Sequence, residues 1–532
     1  MRKSTSKCLL GCVALTLAMV VAGCGSSNNG QSSSTAGSSK SYAELRWGQA
    51  PFPGALDYQK TPWAQVADVE SLAVQNLVEF QSNGTLKPGL ASSIEHPNST
   101  TYVYNIRSGV KFSDGHLLTV ADVVYSLDQN LAKESALKSY WADVASVNAR
   151  GSSAVVVKLK QPSAVWPQVL AFTGKIYEKA AAETAGEKAL GTPGHMLIGT
   201  GPWKIDSFTP EVSVQLSRNP YWSGPPQPAA KISISMFKSE STEALALRSG
   251  AIDGVSIEAP KSLANVPGAR LLVGPHVEIW YLIMNTTQAP FSDLHVRRAI
   301  AYATNVQGMI NAAFPAGDAS EAVTLAPPAL FAGFNSSQVS KVFETLPKYG
   351  YDLTAAKREL AKSAYPHGFT TEIQVLAFET LALQASEVLS SDLAKIGIEA
   401  KIHEIQTSEA SDLYGSKVKL MLEGITSPYP DPYGAVSVML PESEISSTGG
   451  NRASYRNAEL NKLLTAQEAA ASPTRRLELI GELLKIAGSE EPYKPLYATG
   501  WLASLSNKYV FPSYSAWTFL NTPWAMEVKQ AG

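Results

Sequence analysis

Cys24 closes the run Val21-Ala22-Gly23-Cys24 and is the last of three cysteines in the chain. A thiol behind small residues can be cleaved free and acylated. The preceding segment fits that chemistry: Arg2, Lys3 and Lys7 form a cationic start, and Leu9 to Val21 form an apolar core too short to span a bilayer as a free helix. Residues 1–23 are therefore expected to be a lipoprotein signal peptide and Cys24 the lipid anchor. An uncleaved N-terminal anchor helix is the alternative. Cleavage also removes Cys8 and Cys12. That leaves no disulfide framework, thiolate metal site or cysteine nucleophile in the folded body.

The second group able to do chemistry is the segment Gly424-Ile425-Thr426-Ser427-Pro428-Tyr429-Pro430-Asp431-Pro432-Tyr433-Gly434. It follows the apolar run Leu420-Met421-Leu422 and reads as a proline-stiffened loop leaving a buried strand, a good support for binding groups. Ile425, Thr426, Ser427, Tyr429, Asp431 and Tyr433 are its candidate ligand contacts. Phe378, at the end of a preceding strand, Trp63 and Tyr281 join them, because aromatic side chains give large contact area at low entropic cost.

Catalytic and metal signatures are missing. There is no Gly-x-Ser-x-Gly elbow, and His403-Glu404-Ile405-Gln406-Thr407 lacks the second histidine of a zinc protease. Ser135-Ala136-Leu137-Lys138 and Ser235-Met236-Phe237-Lys238 fit Ser-x-x-Lys without Ser-Asp-Asn or Lys-Thr-Gly elsewhere. The seven histidines show no His-x-His or His-x-x-x-His spacing. No catalytic residue, metal site or cofactor is expected. Gly199-Thr200-Gly201-Pro202 lacks the Gly-Lys of a phosphate loop and leads into a strand pattern, so it reads as a structural turn.

The elements that must position these groups are legible by period. Residues 25–41 contain no apolar residue larger than Ala36 and read as a Ser/Gly tether with a reach of roughly 20–25 Å. The remainder is too long for one core, so two or three domains are expected. Removing the signal leaves 41 basic against 46 acidic residues, a net charge of −5, which gives no support for nucleic-acid binding. Thr101 to Arg107 alternates as a strand, Ser113-Asp114-Gly115 turns, and Thr119 with Asp122 opens a helix. Strands follow at 212–216, 279–284, 373–378 and 398–405. Helices are expected after Asp293, after Asp352 or Thr354, over 381–395 and after Ser472-Pro473. Such alternation predicts an α/β body with mixed sheets.

Six blocks then stand in one order. They are Tyr104 to Gly115 with Ala121 to Ser126, Gly199 to Lys204 with Asn219 to Trp222, Ala244 to Asp253, Asn285 to Asp293 with Val296 to Ile300, Tyr349 to Leu353 with Ala394 to Ile398, and Tyr429 to Pro432 with Tyr455 to Asn457. In these the chain resembles the extracytoplasmic solute-binding lipoproteins of ABC importers, in the peptide-and-nickel-binding group, family 5. The resemblance implies an α/β, two-lobed periplasmic-binding-protein fold of class II type, with a hinge and an extra domain in the N-terminal lobe. It implies lobe domain I over 42–72, 195–277 and 500–532, an extra domain II over 73–194, and domain III over 278–499. It further implies a non-enzymatic, monomeric receptor at the outer face of the cell membrane, on a cell surface or in a periplasm, that closes on an oligopeptide-like solute and passes it to permease subunits with their ATPases. The other class left open is a lipid-anchored hydrolase or adhesin.

One departure from the family bears on the solute. Peptide-binding relatives resemble Gly-Trp-x-x-Asp-Tyr-x-Asp-Pro where this chain has Ile425 and Pro428, and dipeptide binders carry an arginine near the strand before the Leu381 helix, where residues 373–394 contain no Lys or Arg. Both charged anchors for free peptide termini are missing on this alignment, which disfavours a dipeptide gripped at both ends. A one-residue slip, or substitution by Asp431, is the alternative.

Overall fold

The structure is a computed structural model that describes residues 41–531 apart from 53, 133–134, 258–262, 264, 315–317, 378, 407–416, 447–448 and 471. Cys24, the expected signal and all of the expected tether but Ser41 lie outside the described residues. No helix among those described is long and apolar enough to cross a membrane.

One eleven-stranded mixed sheet runs through both lobes. In the N-terminal lobe, Trp203–Thr209, Ser213–Arg218, Ala229–Met236, Tyr42–Gln49 and Gly254–Ile257 follow one another across it. Leu420–Thr426, Phe369–Leu376 and Ile398–Ile405 form the far side. Two long strands join the halves, Ala269–Met284 with 16 residues and Tyr493–Ser506 with 14. At about 3.3 Å per residue the first spans roughly 50 Å, more than one lobe's width of sheet needs. Its early residues lie beside Leu502–Ser506, of which Leu502 to Leu505 pair with Gly254–Ile257, whereas Glu278–Met284 pairs with Leu420–Thr426. Register shifts at Val273/His276 and His276/Glu278 bend the pair between these two stretches, and a third at Trp280/Tyr281 falls within the second.

A separate four-stranded antiparallel sheet, in the order Ala91–Asn98, Thr101–Ile106, Ala154–Leu159 and Val144–Arg150, forms the extra domain of the N-terminal lobe. Its helix Val120–Asp128 starts on a capping box. Thr119 Oγ1 accepts from the Asp122 N–H at 3.3 Å, and Asp122 Oδ2 accepts from the Thr119 N–H at 2.9 Å.

The turn Gly199–Pro202 is structural, as its sequence implies. It packs so closely on the end of the helix Ala64–Ala73 that a Cβ at Gly199 would lie 2.2 Å from the Ala73 carbonyl oxygen. The second lobe follows its caps: Asp293 before Leu294–Ala303, Asp352 before Leu353–Leu360, and Ser472 before the helix Pro473–Glu490. Arg297, on the first of these helices, is buried and donates to the carbonyl oxygens of Glu490 and Phe291, both at 2.8 Å. It ties the last carbonyl of the helix Pro473–Glu490 to the segment before its own helix.

Candidate functional site between the lobes

The bend in the two crossing strands places polar side chains where the lobes meet. Glu278 is half-buried there. Thr499 Oγ1 donates to its Oε2 at 2.8 Å, and Thr426 Oγ1 lies 3.5 Å from its Oε1. Burial pushes its carboxyl above the usual range, and among the described residues no ion pair involves it. Trp280, two residues on, stacks on Tyr497 with ring centroids 5.9 Å apart.

The strand Leu420–Thr426 delivers Ile425 and Thr426 to this crossing, both half-buried. The chain then turns through the proline-stiffened loop. Ser427 is buried and its Oγ donates to the Tyr429 carbonyl at 2.9 Å; Tyr429 is 1% exposed. Pro430 abuts Gly84 in the N-terminal lobe, where a Cβ would lie 2.9 Å from the proline Cβ. Asp431 caps the helix Pro432–Met439 through the Tyr433 N–H at 2.9 Å. The same carboxylate receives a two-pronged donation from Arg476, at 2.6 and 2.7 Å. Tyr433 is half-buried against Glu468. Tyr281 is fully buried, its hydroxyl donating to the Leu325 carbonyl at 2.7 Å. Trp63 stands at the N-terminus of Ala64–Ala73 and is 41% exposed. Phe378 lies outside the described residues.

In this conformation Trp63, Ile425, Thr426 and Tyr433 keep open surface, whereas Tyr281, Ser427, Tyr429 and Asp431 have theirs taken up by protein. The lobes also touch at the backbone, where the Ala164 N–H of the extra domain donates to the Glu468 carbonyl at 2.9 Å.

Sequence reasoning missed Glu278, Arg476 and Glu468. Glu278 was visible as one acid inside the run Val277 to Met284. Arg476 adjoins the buried Leu477–Ile480 stripe, where a cation needs a partner, but that partner lies 45 residues away.

Glu468 gives the site a pH dependence. Burial at the lobe contact, where the described charges facing it are Asp143, Asp431 and Arg476, pushes its carboxyl from 4.5 to about 7; burial likewise pushes Glu491 to about 8. In the unfolded chain both ionise near 4.5, so between about 4.5 and about 8 the folded protein holds protons that the unfolded chain has lost. Stability is therefore expected to fall as pH rises through this window. Urea denaturation at pH 5 and pH 8 should show the decline, and Glu468→Gln should flatten it. An unchanged slope in the variant would assign the decline to other groups.

The sequence model of the bacterial extracellular solute-binding proteins, family 5 Middle, matches residues 85–447. The chain is 26% identical over 409 residues to the glutathione-binding protein GsiB of Salmonella typhi, covering 74% of this chain and 77% of that protein. It is 25% identical over 436 residues to GsiB of Escherichia coli K12, covering 79% and 82%. The fold is shared with the periplasmic binding protein DppA of Helicobacter pylori in complex with the peptide STSA, at a TM-score of 0.78, 21% identity, and 92% and 98% coverage. It is shared equally with the oligopeptide-binding protein AppA of Bacillus subtilis bound to a nonapeptide, at 0.77, 19%, and 93% and 100%.

Proposed function

The chain belongs to the bacterial extracellular solute-binding proteins of family 5, and from that premise we propose that it captures a peptide-like solute between its lobes and hands it, chemically unchanged, to the permease of an ABC importer. The protein acts as a monomer held at the outer face of the cell membrane by a lipid on Cys24, with the Ser/Gly segment as tether. The observation that carries the solute class is Glu278. It is a half-open carboxylate without a cationic partner among the described residues, set on the strands that join the lobes.

An acid there offers a site for a solute ammonium group, supplying from the crossing strands the anchor that Pro428 cannot. Trp63, Ile425, Thr426 and Tyr433 contribute apolar and aromatic contact. Ser427, Tyr429 and Asp431 hold the loop in place, and Tyr281 packs inside the crossing strands. The relatives named for glutathione binding support a short peptide with a free amino group.

The test is calorimetry and thermal unfolding of the mature protein with glutathione and with a matched set of short peptides, free and N-acetylated. A bound solute should raise the melting temperature in proportion to the logarithm of its concentration and compact the protein in solution scattering. Glu278→Gln should weaken free-amine solutes at least tenfold, about 1.4 kcal/mol, and leave acetylated ones unchanged. Recovery of hydrolysed solute over many turnovers would replace this reading with that of an enzyme.

A further inference from the structure

Away from the lobe crossing, the turn Phe112 to His116 meets the start of the helix Lys179–Ala185. His116 Nδ1 lies 2.8 Å from Asp114 Oδ2 and 2.6 Å from Glu178 Oε1. One donor atom from each of the three residues falls within 4.8 Å of the others. The side chain of Glu178 is 7% exposed, that of Asp114 28% and that of His116 73%. One donor is thus fixed in the protein, and the other two stand at the edge of an open groove of about 810 Å³, which His195 also lines.

We infer that Asp114, His116 and Glu178 form a binding site for a borderline divalent transition metal ion such as zinc, cobalt or nickel. One imidazole and two carboxylates suit such ions, whereas calcium takes six to eight oxygen donors. Donors around one ion at about 2.0–2.2 Å stand roughly 2.8–3.6 Å apart, so the two His116 contacts need to open by at most about 1 Å and the carboxylate oxygens, within 4.8 Å of each other, to close by a similar amount at most. The imidazole N–H now lies between the two carboxylates. An incoming ion takes the place of that proton, and the two carboxylates balance its charge.

The donors are also preset. Asp114 Oδ1 accepts from the His116 backbone N–H at 3.1 Å, and Gly115 takes φ +100°, a left-handed turn that glycine adopts without strain. The Phe112 N–H donates to the His116 carbonyl at 2.9 Å, and the Glu178 N–H to that of Ile198 at 2.9 Å. Among the described residues the one cation paired with Glu178 is His116, so this buried carboxylate faces the cluster. The positions left open on the ion face the groove, where water or His195 completes the set. Histidine spacing could not reveal this site, because Glu178 follows His116 by 62 residues.

The test uses mature protein freed of any affinity tag and treated with chelator. Cobalt(II) should produce visible d–d bands that saturate at one equivalent and are displaced by zinc. His116→Asn and Glu178→Gln should each weaken cobalt binding at least tenfold while unfolding normally without metal. Glu278→Gln should bind cobalt as the parent does, which separates this site from the solute cleft. Absence of d–d bands in the parent, or equal affinity in both cluster variants, would overturn the assignment and leave the three residues as an ion-pair cluster.

Discussion

Arg476→Ala is expected to lower unfolding stability by about 3–5 kcal/mol, the cost of leaving a buried charge without its partner. Arg476 and Asp431 are 7% and 5% exposed at their side chains, so water cannot replace the lost contacts. The guanidinium also donates from Nε to Gln467 Oε1 at 3.0 Å and lies 5.5 Å from the Phe334 ring centroid. Its removal strands three partners at once. Asp431 meanwhile caps Pro432–Met439, so the damage extends into the loop that carries Tyr429 and Tyr433. Equilibrium urea unfolding measures the loss. A change below about 1 kcal/mol, the range of an exposed pair, would show that solvent reaches this ion pair.

The larger effect in the cell is expected from Cys24→Ser. On the proposed maturation, Cys24 is the one thiol left in the chain. Without it there is no acceptor for an acyl chain, and no helix among the described residues can substitute as an anchor. Two acyl chains hold a protein stably at a bilayer, whereas none leaves only weak surface contact. The variant should appear in the soluble fraction or as the unprocessed precursor, read by fractionation and intact mass. Should it mature and stay with the membrane as the parent does, the lipid anchor is wrong.

Elements defined by local rules were legible in the sequence. The capping box at Thr119, the Ser472-Pro473 helix start and the strand over 398–405 all depend on residues within a few positions of one another. The six ordered blocks carried the fold for the same reason. The chemistry at the centre was harder to read, because it is assembled from distant positions. Glu278 gains its meaning from Thr499, 221 residues on, and Asp431 from Arg476. Tyr281 and Tyr429 show the converse. An aromatic near a predicted boundary carries no mark of which way it faces, and both are packed inside.

The passage of the chain between lobes as paired strands also limits how the protein can move. Two tethers of irregular chain would let the lobes swing freely, but here two ladder stretches, Ala269–Val273 and Glu278–Met284, keep their rungs while the irregular pairing between them bends and twists. Opening is then elastic, with its travel restricted by the ribbon's torsional stiffness. Amide hydrogens along Ile279–Met284 and Leu502–Leu505 should therefore exchange slowly in the open and the closed protein alike. The two lobes would then keep their relative handedness each time the cleft opens and closes.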